Sequence, residues 1–270
     1  MNKHTKHLFL TVAGFTIRME FHSTEWKHAR HKLISEINQY YKGFITKKKL
    51  SEVHATIHFI ERLGMEIMSI KQSQKKFINF YELNSKKEII SFYQIGIYQI
   101  SIILREIIQK LLADNHGFIL HASASLFKNK AYIFLGKSGA GKSTSMRLLH
   151  DKYKALADDG IIIKKEKGGD YLYQTPFIDK EAWVNKTSIR YKIGPLFFLN
   201  KSEKNHLKKI YLQEKITNKL IQSLFTDVKY SKNQMKYILE FLGKSRQYYD
   251  LYFRKNKKEL IDLLSRINSD

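Results

Sequence analysis

The residues with the clearest chemistry stand between positions 136 and 144. Gly136, Lys137, Ser138, Gly139, Ala140, Gly141, Lys142 and Ser143 spell G-x-x-x-x-G-K-S without a mismatch, and Thr144 follows. Residues of these types at this spacing handle phosphate. Glycines leave room for an anion beside the main chain and adopt backbone angles closed to other residues. Successive N–H groups can then converge on the anion, with a helix N-terminus behind them. Lys142 would reach the outer phosphates of a nucleotide, and the Ser143 hydroxyl would ligate Mg²⁺. The competing reading is an ordinary glycine turn before a helix, which the Lys142-Ser143 pair weighs against.

Two more places could join such a site. Asp158 and Asp159 follow the apolar Ala155-Leu156-Ala157. A nucleotide site of this kind needs an acid at the end of a neighbouring strand, holding Mg²⁺ or its water. Adjacent side chains on a strand point opposite ways, so one acid could face metal and the other an incoming hydroxyl. A charged turn beside Gly160 explains the pair about as well. His121 sits among apolar residues, where composition alone favours a satisfied core histidine. His54 and His58, with Thr56 between, would share one face of a strand over Val53–Ile60. A metal pair is conceivable there, but no third ligand is evident, and the solvent face of a half-buried strand is the preferred reading.

The elements that must position these groups can be read around them. Ala131–Leu135 is an apolar strand, and Thr144–His150 a helix, so the glycine loop lies in a strand–loop–helix setting. Upstream, Gly117–Phe127 reads as one strand carrying His121, turned by Lys128-Asn129-Lys130. Downstream, strands are expected at Ile161–Lys164, Tyr171–Gln174, Gly194–Leu199 and Tyr248–Phe253. Helices are expected at Leu207–Val228, Asn233–Phe241 and Lys258–Ile267, with 178–192 irregular or weakly helical. The N-terminal part reads as a hairpin over 8–22 turning near Gly14, a helix over Trp26–Tyr41, and strands at Val53–Ile60 and Phe77–Leu83. Glu88–Ala113 is the most apolar stretch and reads as a helix, its isoleucines leaving a strand open in the first half.

Composition narrows the classes. The net charge is +23, with Lys heavily outnumbering Arg and no recognisable nucleic-acid module. A lysine-rich composition explains the charge better than a nucleic-acid partner, though an acidic partner surface stays open. There is no Cys, which excludes disulfides, thiolate metal sites and a cysteine nucleophile. Lys3 and Lys6 before Leu8–Phe15 faintly suggest a signal peptide, but the run is short and passes into strand-like alternation. No uncharged apolar run is long enough to span a bilayer, and a cytoplasmic setting is expected. Asn200-Lys201-Ser202-Glu203 nearly matches the guanine motif of GTPases, but Glu replaces Asp. Asp114-Asn115-His116-Gly117 lies on the wrong side of the glycine loop. The Leu-Ser-Gly-Gly-Gln of ABC-type ATPases is absent.

Taken in order, Leu120-His121-Ala122-Ser123-Ala124, Gly136–Thr144 and Leu156-Ala157-Asp158-Asp159 resemble the C-terminal domain of HPr serine kinase. They also resemble the nucleotide core of ATP-dependent phosphoenolpyruvate carboxykinase. Gln174–Phe177, Leu196–Leu199 and Tyr249–Phe253 look like HPr-kinase-related proteins of bacterial peptide-modification clusters. The resemblance covers roughly 115–265. It implies an α/β fold with a P-loop kinase core, a mixed sheet and flanking helices. By that resemblance the chain divides into an N-terminal α+β region, 1–112, ending in an apolar helix, and a kinase-like domain, 113–270. It also implies that His121 meets metal or phosphate at the active site, and that the acidic pair supplies a catalytic carboxylate and a metal ligand. Asp158 is then assigned as general base and Asp159 to Mg²⁺, two roles that could be exchanged. Carboxykinase chemistry is disfavoured, because the segment before His121 offers only Arg105 for a dicarboxylate. The N-terminal third does not match the HPr kinase N-terminal domain, so neither HPr as substrate nor the reverse phosphorolysis is implied.

The expected activity is an ATP- and Mg²⁺-dependent phosphotransfer to a hydroxyl of a peptide, protein or small molecule, with serine the first candidate. Two rival readings are a non-catalytic nucleotide-binding module with a basic partner surface, and a nucleic-acid-stimulated ATPase. Relatives in the resembling families assemble, which leaves a homo-oligomer open.

Overall fold

The computed structural model describes residues 5–46, 52–62, 67–69, 76–85, 87–225, 230–244 and 246–267. They form mixed α/β structure in two compact units, Met1–Ile108 and Gln109–Asp270.

In the first unit, β1 (Lys6–Val12) and β2 (Phe15–Phe21) form an antiparallel hairpin. Its turn is Ala13-Gly14, both at positive φ, as a two-residue hairpin loop requires. The apolar run near the N-terminus is therefore strand. Helix α1 (Lys27–Tyr40) buries Leu33 and Ile37. The short β3 (Ile45–Thr46) pairs with β1, and β4 (Ala55–Ile60) lies parallel to β2. A separate small pair, β5 (Ile67–Ser69) and β6 (Lys76–Ile78), comes next. Then β7 (Tyr81–Leu83) and β8 (Glu88–Phe92) complete a six-stranded sheet in the order β3-β1-β2-β4-β8-β7. The expected strand Phe77–Leu83 is thus two strands in two sheets. Along the central strands the apolar residues take one face. Ile17, Met19 and Phe21 of β2 and Ile57 and Phe59 of β4 are buried. Arg18, Glu20 and His58 point to the other face.

The apolar stretch 88–113 divides. Its first part is β8, which pairs parallel with β4; only from Ile97 does α2 (Ile97–Asp114) begin. Ile100, Ile103, Leu104, Ile107, Ile108 and Leu112 of α2 are buried at helical spacing. Among the described residues no helix is long and apolar enough to cross a membrane.

The second unit is built on a nine-stranded mixed sheet. In chain order it holds β9 (Gly117–Leu120), β10 (Ala122–Phe127), β11 (Lys130–Leu135), α3 (Lys142–Leu149), β12 (Ala155–Ala157), β13 (Ile161–Glu166) and β14 (Gly169–Gln174). There follow β15 (Arg190–Lys201), β16 (His206–Lys209), α4 (Gln213–Ile221), α5 (Lys232–Gly243), β17 (Tyr248–Phe253) and α6 (Lys257–Ser265). The main path runs β12-β10-β11-β15-β14-β13-β9, with β17 parallel to β15 and β16 on the far side of β17. One face packs Ile133, Leu135, Leu196 and Phe198 against Ile216 and Leu220 of α4 and Tyr237 and Phe241 of α5. The other packs Phe134, Phe197 and Leu199 against Leu149 of α3 and Leu260 and Leu264 of α6.

The sequence-based expectations need three corrections here. Gly117–Phe127 is not one strand: it breaks at His121, whose N–H donates to Ser223 O (2.8 Å) instead of joining a ladder. β9 then pairs with β13, and β10 with β11 and β12. Leu207–Val228 is not one helix. His206–Lys209 pairs as an edge strand with β17, α4 begins at Gln213, and 226–228 lie outside the described residues. Finally, strand β15 starts at Arg190, inside the stretch expected to be irregular.

Candidate functional site

The break at His121 decides where the chemistry goes. β9 and β10 stand at or near opposite ends of the sheet path, yet a single residue joins them. Asp158, Asp159 and Gly160 likewise link β12, at one end, to β13, next to the other. The sheet must therefore curl until its ends meet, and both links lie on that seam. Register fixes which end of β11 they join. Ala122 is opposite Leu135, the last residue of β11, so His121 stands beside the start of the glycine loop.

The loop itself connects β11 to α3 as expected. Lys137, Ser138 and Gly139 form its exposed crest, while Lys142, in the first turn of α3, is buried. Gly139 and Gly141 have φ of 75° and 107°. A Cβ on Gly141 would come within 2.6 Å of the Phe253 ring, so both backbone angle and space call for glycine there. Lys142 Nζ donates to Gly136 O (2.8 Å) and Lys137 O (3.3 Å), closing the loop on itself. Burial lowers the Lys142 pKa; Asp159 and Asp158 oppose that shift, and Lys180 adds to it. Ser123 Oγ and Ser145 Oγ both donate to Lys142 O, anchoring the helix start to β10.

Asp158 is 1% exposed, and neither of its carboxylate oxygens has a donor in hydrogen-bond geometry. Burial raises its pKa; the adjacent Ser143 hydroxyl pulls the other way, and Glu181 and Asp159 push further up. Asp159 turns elsewhere, its Oδ1 lying 3.3 Å from His121 Nδ1. Burial lowers the pKa of His121, with Lys142 and Lys180 adding to the shift and Asp159 opposing it. The direction of that shift favours the neutral imidazole.

So His121, Lys142, Ser143, Asp158 and Asp159 form one cluster, though 38 positions separate His121 from Asp159. The segment from Pro176 to Thr187 also belongs to it, and sequence reasoning missed this. Asp179, its side chain 4% exposed, accepts from the Asp158 N–H (3.4 Å) and pairs with Lys186 (2.8 Å). Lys186 also donates to Phe177 O (2.7 Å). Buried Gln174 holds the segment in place, donating to Leu156 O and Asn185 O and accepting from Thr187. Lys180 and Glu181 act electrostatically on the cluster, and Glu181 is tied to Arg147 of α3 at 3.3 Å. The only signal in the sequence was a run of charges, Asp179-Lys180-Glu181, after Thr175-Pro176.

Beside the loop opens a cavity of about 620 Å³, within the range of small-molecule sites. Gly136 to Ala140 form one wall, Phe198 to Lys201 another, and Lys219, Gln222, Ser223 and Tyr252 close it. Buried Asp250 anchors Lys219 (2.9 Å) and Lys215 (2.7 Å) below it. The His121 cluster does not line this cavity but touches it through Ser223, the acceptor for the His121 N–H.

Comparison with known proteins gives the lineage. The family described as "SynChlorMet cassette protein ScmC" matches residues 88–236, more than half of the chain. The chain belongs to the ScmC family. The matched stretch holds His121, the glycine loop, both aspartates and Asp179, but neither β17 nor the first strands of unit one. No curated protein matches this ScmC-family chain. Among solved structures, the HPr(Ser) kinase/phosphatase from Coxiella burnetii is similar over 54% of this chain and 91% of its own, at 14% identity and a TM-score of 0.30. At that score the likeness carries no argument about mechanism.

Proposed function

We propose that residues 113–270 form a P-loop kinase-like domain and that the protein transfers a phosphoryl group from ATP to a hydroxyl of a peptide, protein or small molecule. The observation that carries this reading is Asp158: a buried carboxylate whose hydrogen-bonding neighbour is the Ser143 hydroxyl at the end of the glycine loop. A buried acid met by a single hydroxyl is costly, and structures keep one where something binds it. The Ser143 hydroxyl and the Asp158 carboxylate are hard oxygen donors of the kind Mg²⁺ takes. When bound, Mg²⁺ neutralises charge on the β- and γ-phosphate oxygens.

The chain's own groups do the rest. The N–H groups of Gly139 and Gly141 and the Lys142 ammonium hold the negative charge of the phosphates. Lys142 exchanges the carbonyls of Gly136 and Lys137 for phosphate oxygens. Asp159 takes the proton of the acceptor hydroxyl as the new O–P bond forms and the bond from the γ-phosphorus to ADP breaks. Neutral His121 steadies Asp159 and leaves that carboxylate free of a fixed cation. The roles of the two aspartates are thus exchanged from the first assignment: Asp158 goes with Ser143, and Asp159 with the acceptor.

ATP consumption and label transfer, measured with a panel of hydroxyl-bearing peptides and small molecules, test the reading. Lys142→Ala is expected to remain folded by circular dichroism and to lose transfer. Normal transfer by that variant overturns the assignment. So does a wild-type protein that binds ATP and transfers to none of the panel, which would make this a nucleotide-binding module.

A further inference from the structure

Three side chains of unit one meet on the partly exposed face of the six-stranded sheet, apart from the proposed phosphotransfer site. They are Glu20 on β2, His22 just after it, and His58 on β4. Parallel pairing brings them together: Glu20 is the register partner of His58, and the His22 N–H continues the ladder to Phe59 O. Glu20 and His22 are two apart, so they share a face. Opposite them the sheet buries Met19, Phe21, Ile57 and Phe59, which pins the register of this polar face.

The donor atoms converge. His22 Nε2 is 3.1 Å from His58 Nδ1, His58 Nδ1 is 3.1 Å from Glu20 Oε2, and His22 Nε2 is 3.8 Å from the same oxygen. A hydrogen-bonded chain explains one of the histidine contacts, since one N–H can serve one short N···N pair. It does not explain why three lone-pair atoms surround one point. That point lies about 2.0 Å from all three atoms, matching the Zn–N and Zn–O bond lengths of roughly 2.0–2.2 Å. Among the described residues this is the one group of three such side chains close enough to share an ion.

The surroundings suit ligands held in place. Arg18 Nε lies 3.0 Å from Glu20 Oε1, the oxygen not offered to the centre, and pairs with the carboxylate by charge. His7 Nδ1 stands 3.6 Å from that same oxygen. Tyr93 donates to His22 O (2.6 Å), fixing the backbone at the ligand. His54, the other histidine first considered with His58, is excluded: its Nδ1 accepts from the Thr16 N–H at 3.1 Å.

We propose that Glu20, His22 and His58 form a binding site for a divalent transition-metal ion of the zinc class, with a fourth position open to solvent beside half-exposed His22. Two imidazoles and one carboxylate are a borderline donor set, which selects zinc-like ions over Mg²⁺ or Ca²⁺. The ion clips β2 to β4, two strands separated in sequence by α1 and β3, and adds to their backbone ladder and the Phe21–Phe59 stack.

The test uses the untagged full chain stripped with chelator, loaded with Zn²⁺ without nucleotide, gel-filtered and assayed for metal. One zinc per chain is expected in the wild type and in His121→Ala. His58→Ala and Glu20→Gln are expected to lose it, with at least a ten-fold fall in affinity. Glu20→Gln keeps size and register, so its circular dichroism distinguishes a lost ligand from a lost fold. Zn²⁺ is expected to raise the wild-type melting temperature and to leave that of Glu20→Gln unchanged. The proposal fails if the wild type retains no zinc, if folded Glu20→Gln retains it equally, or if His121→Ala is the variant that loses it.

Discussion

Replacing Asp158 by Asn should make the protein more stable and less active at once. Asp158 is 1% exposed, and its oxygens have no donor in good geometry beyond the influence of the neighbouring Ser143 hydroxyl. A buried polar group without partners costs about 1–3 kcal/mol, and a charged one more. The Asn amide would be unpartnered too, so the gain is the difference between the two penalties, about 1–2 kcal/mol. For a unit the size of Gln109–Asp270, about 2–4 °C per kcal/mol puts the rise in melting temperature at roughly 2–8 °C. Its pH dependence is fixed by the direction of the shift. The folded pKa is raised above 3.8, so the folded state favours the protonated acid. The Asp158 contribution is then fully present below pH 3.8 and is lost as pH rises through the folded value. The advantage of Asp158→Asn should therefore vanish in acid and be largest near neutrality. Scanning calorimetry from pH 4 to 8 measures this, with and without ATP and Mg²⁺. The nucleotide with Mg²⁺ should stabilise the wild type and fail to stabilise the variant. Turnover should fall at least 100-fold, the scale of losing several kcal/mol of charge neutralisation. An equal or lower melting temperature at pH 7 would mean that the carboxylate is satisfied, and the argument for a cation there would collapse.

Two further outcomes follow from the same geometry. Gly141→Ala puts a side chain at φ 107° and 2.6 Å from the Phe253 ring, so it should cost about 2–4 kcal/mol by denaturant titration and abolish ATP binding. In a Phe253→Leu background the added cost should fall to about 1–2 kcal/mol, that of the backbone angle alone; an unchanged cost refutes the ring clash. The His121 pKa lies below 6.5, so turnover should hold steady through neutral pH and fall in acid as the ring gains a proton. Asp159 raises that pKa, so in Asp159→Asn the residual activity should keep its plateau to a lower pH. An acid limb that stays put would detach the imidazole from Asp159.

The loop was legible because every requirement on it is local. Gly139 and Gly141 are demanded by backbone angle, and Lys142 and Ser143 by fixed spacing from them. The hairpin turn at Ala13-Gly14 and helix α5 were legible for similar reasons; α5 has a full capping box from Ser231 to Gln234. The split at His121 was not legible. Gly117–Phe127 has the composition of one strand, and only the pairing of β9 with β13 shows that the chain changes neighbours there. Asp179 was missed because its role depends on a backbone N–H 21 positions earlier, held by hydrogen bonds with no sequence period. His206–Lys209 was misread because Leu207 and Ile210 fit a helical spacing as well as an edge strand. Of the Glu20–His22–His58 group only His58 was noted, and beside His54, which is no part of it; its two neighbours come from a parallel strand across a helix.

The single-residue passage at His121 has a consequence for how the protein comes into being. The groups proposed to handle phosphate come together only when β12, which follows α3 in the chain, has paired with β10, which precedes the glycine loop. A partly folded chain can hold the glycine loop, since β11, the loop and α3 are contiguous. It cannot hold His121 against Asp159, or Asp158 against Ser143, until β12 has paired with β10 across the intervening loop and helix. Such distant pairings form slowly. A nascent or damaged chain would thus be able to grip an anion before it could do anything with it, and competence would arrive in one late step.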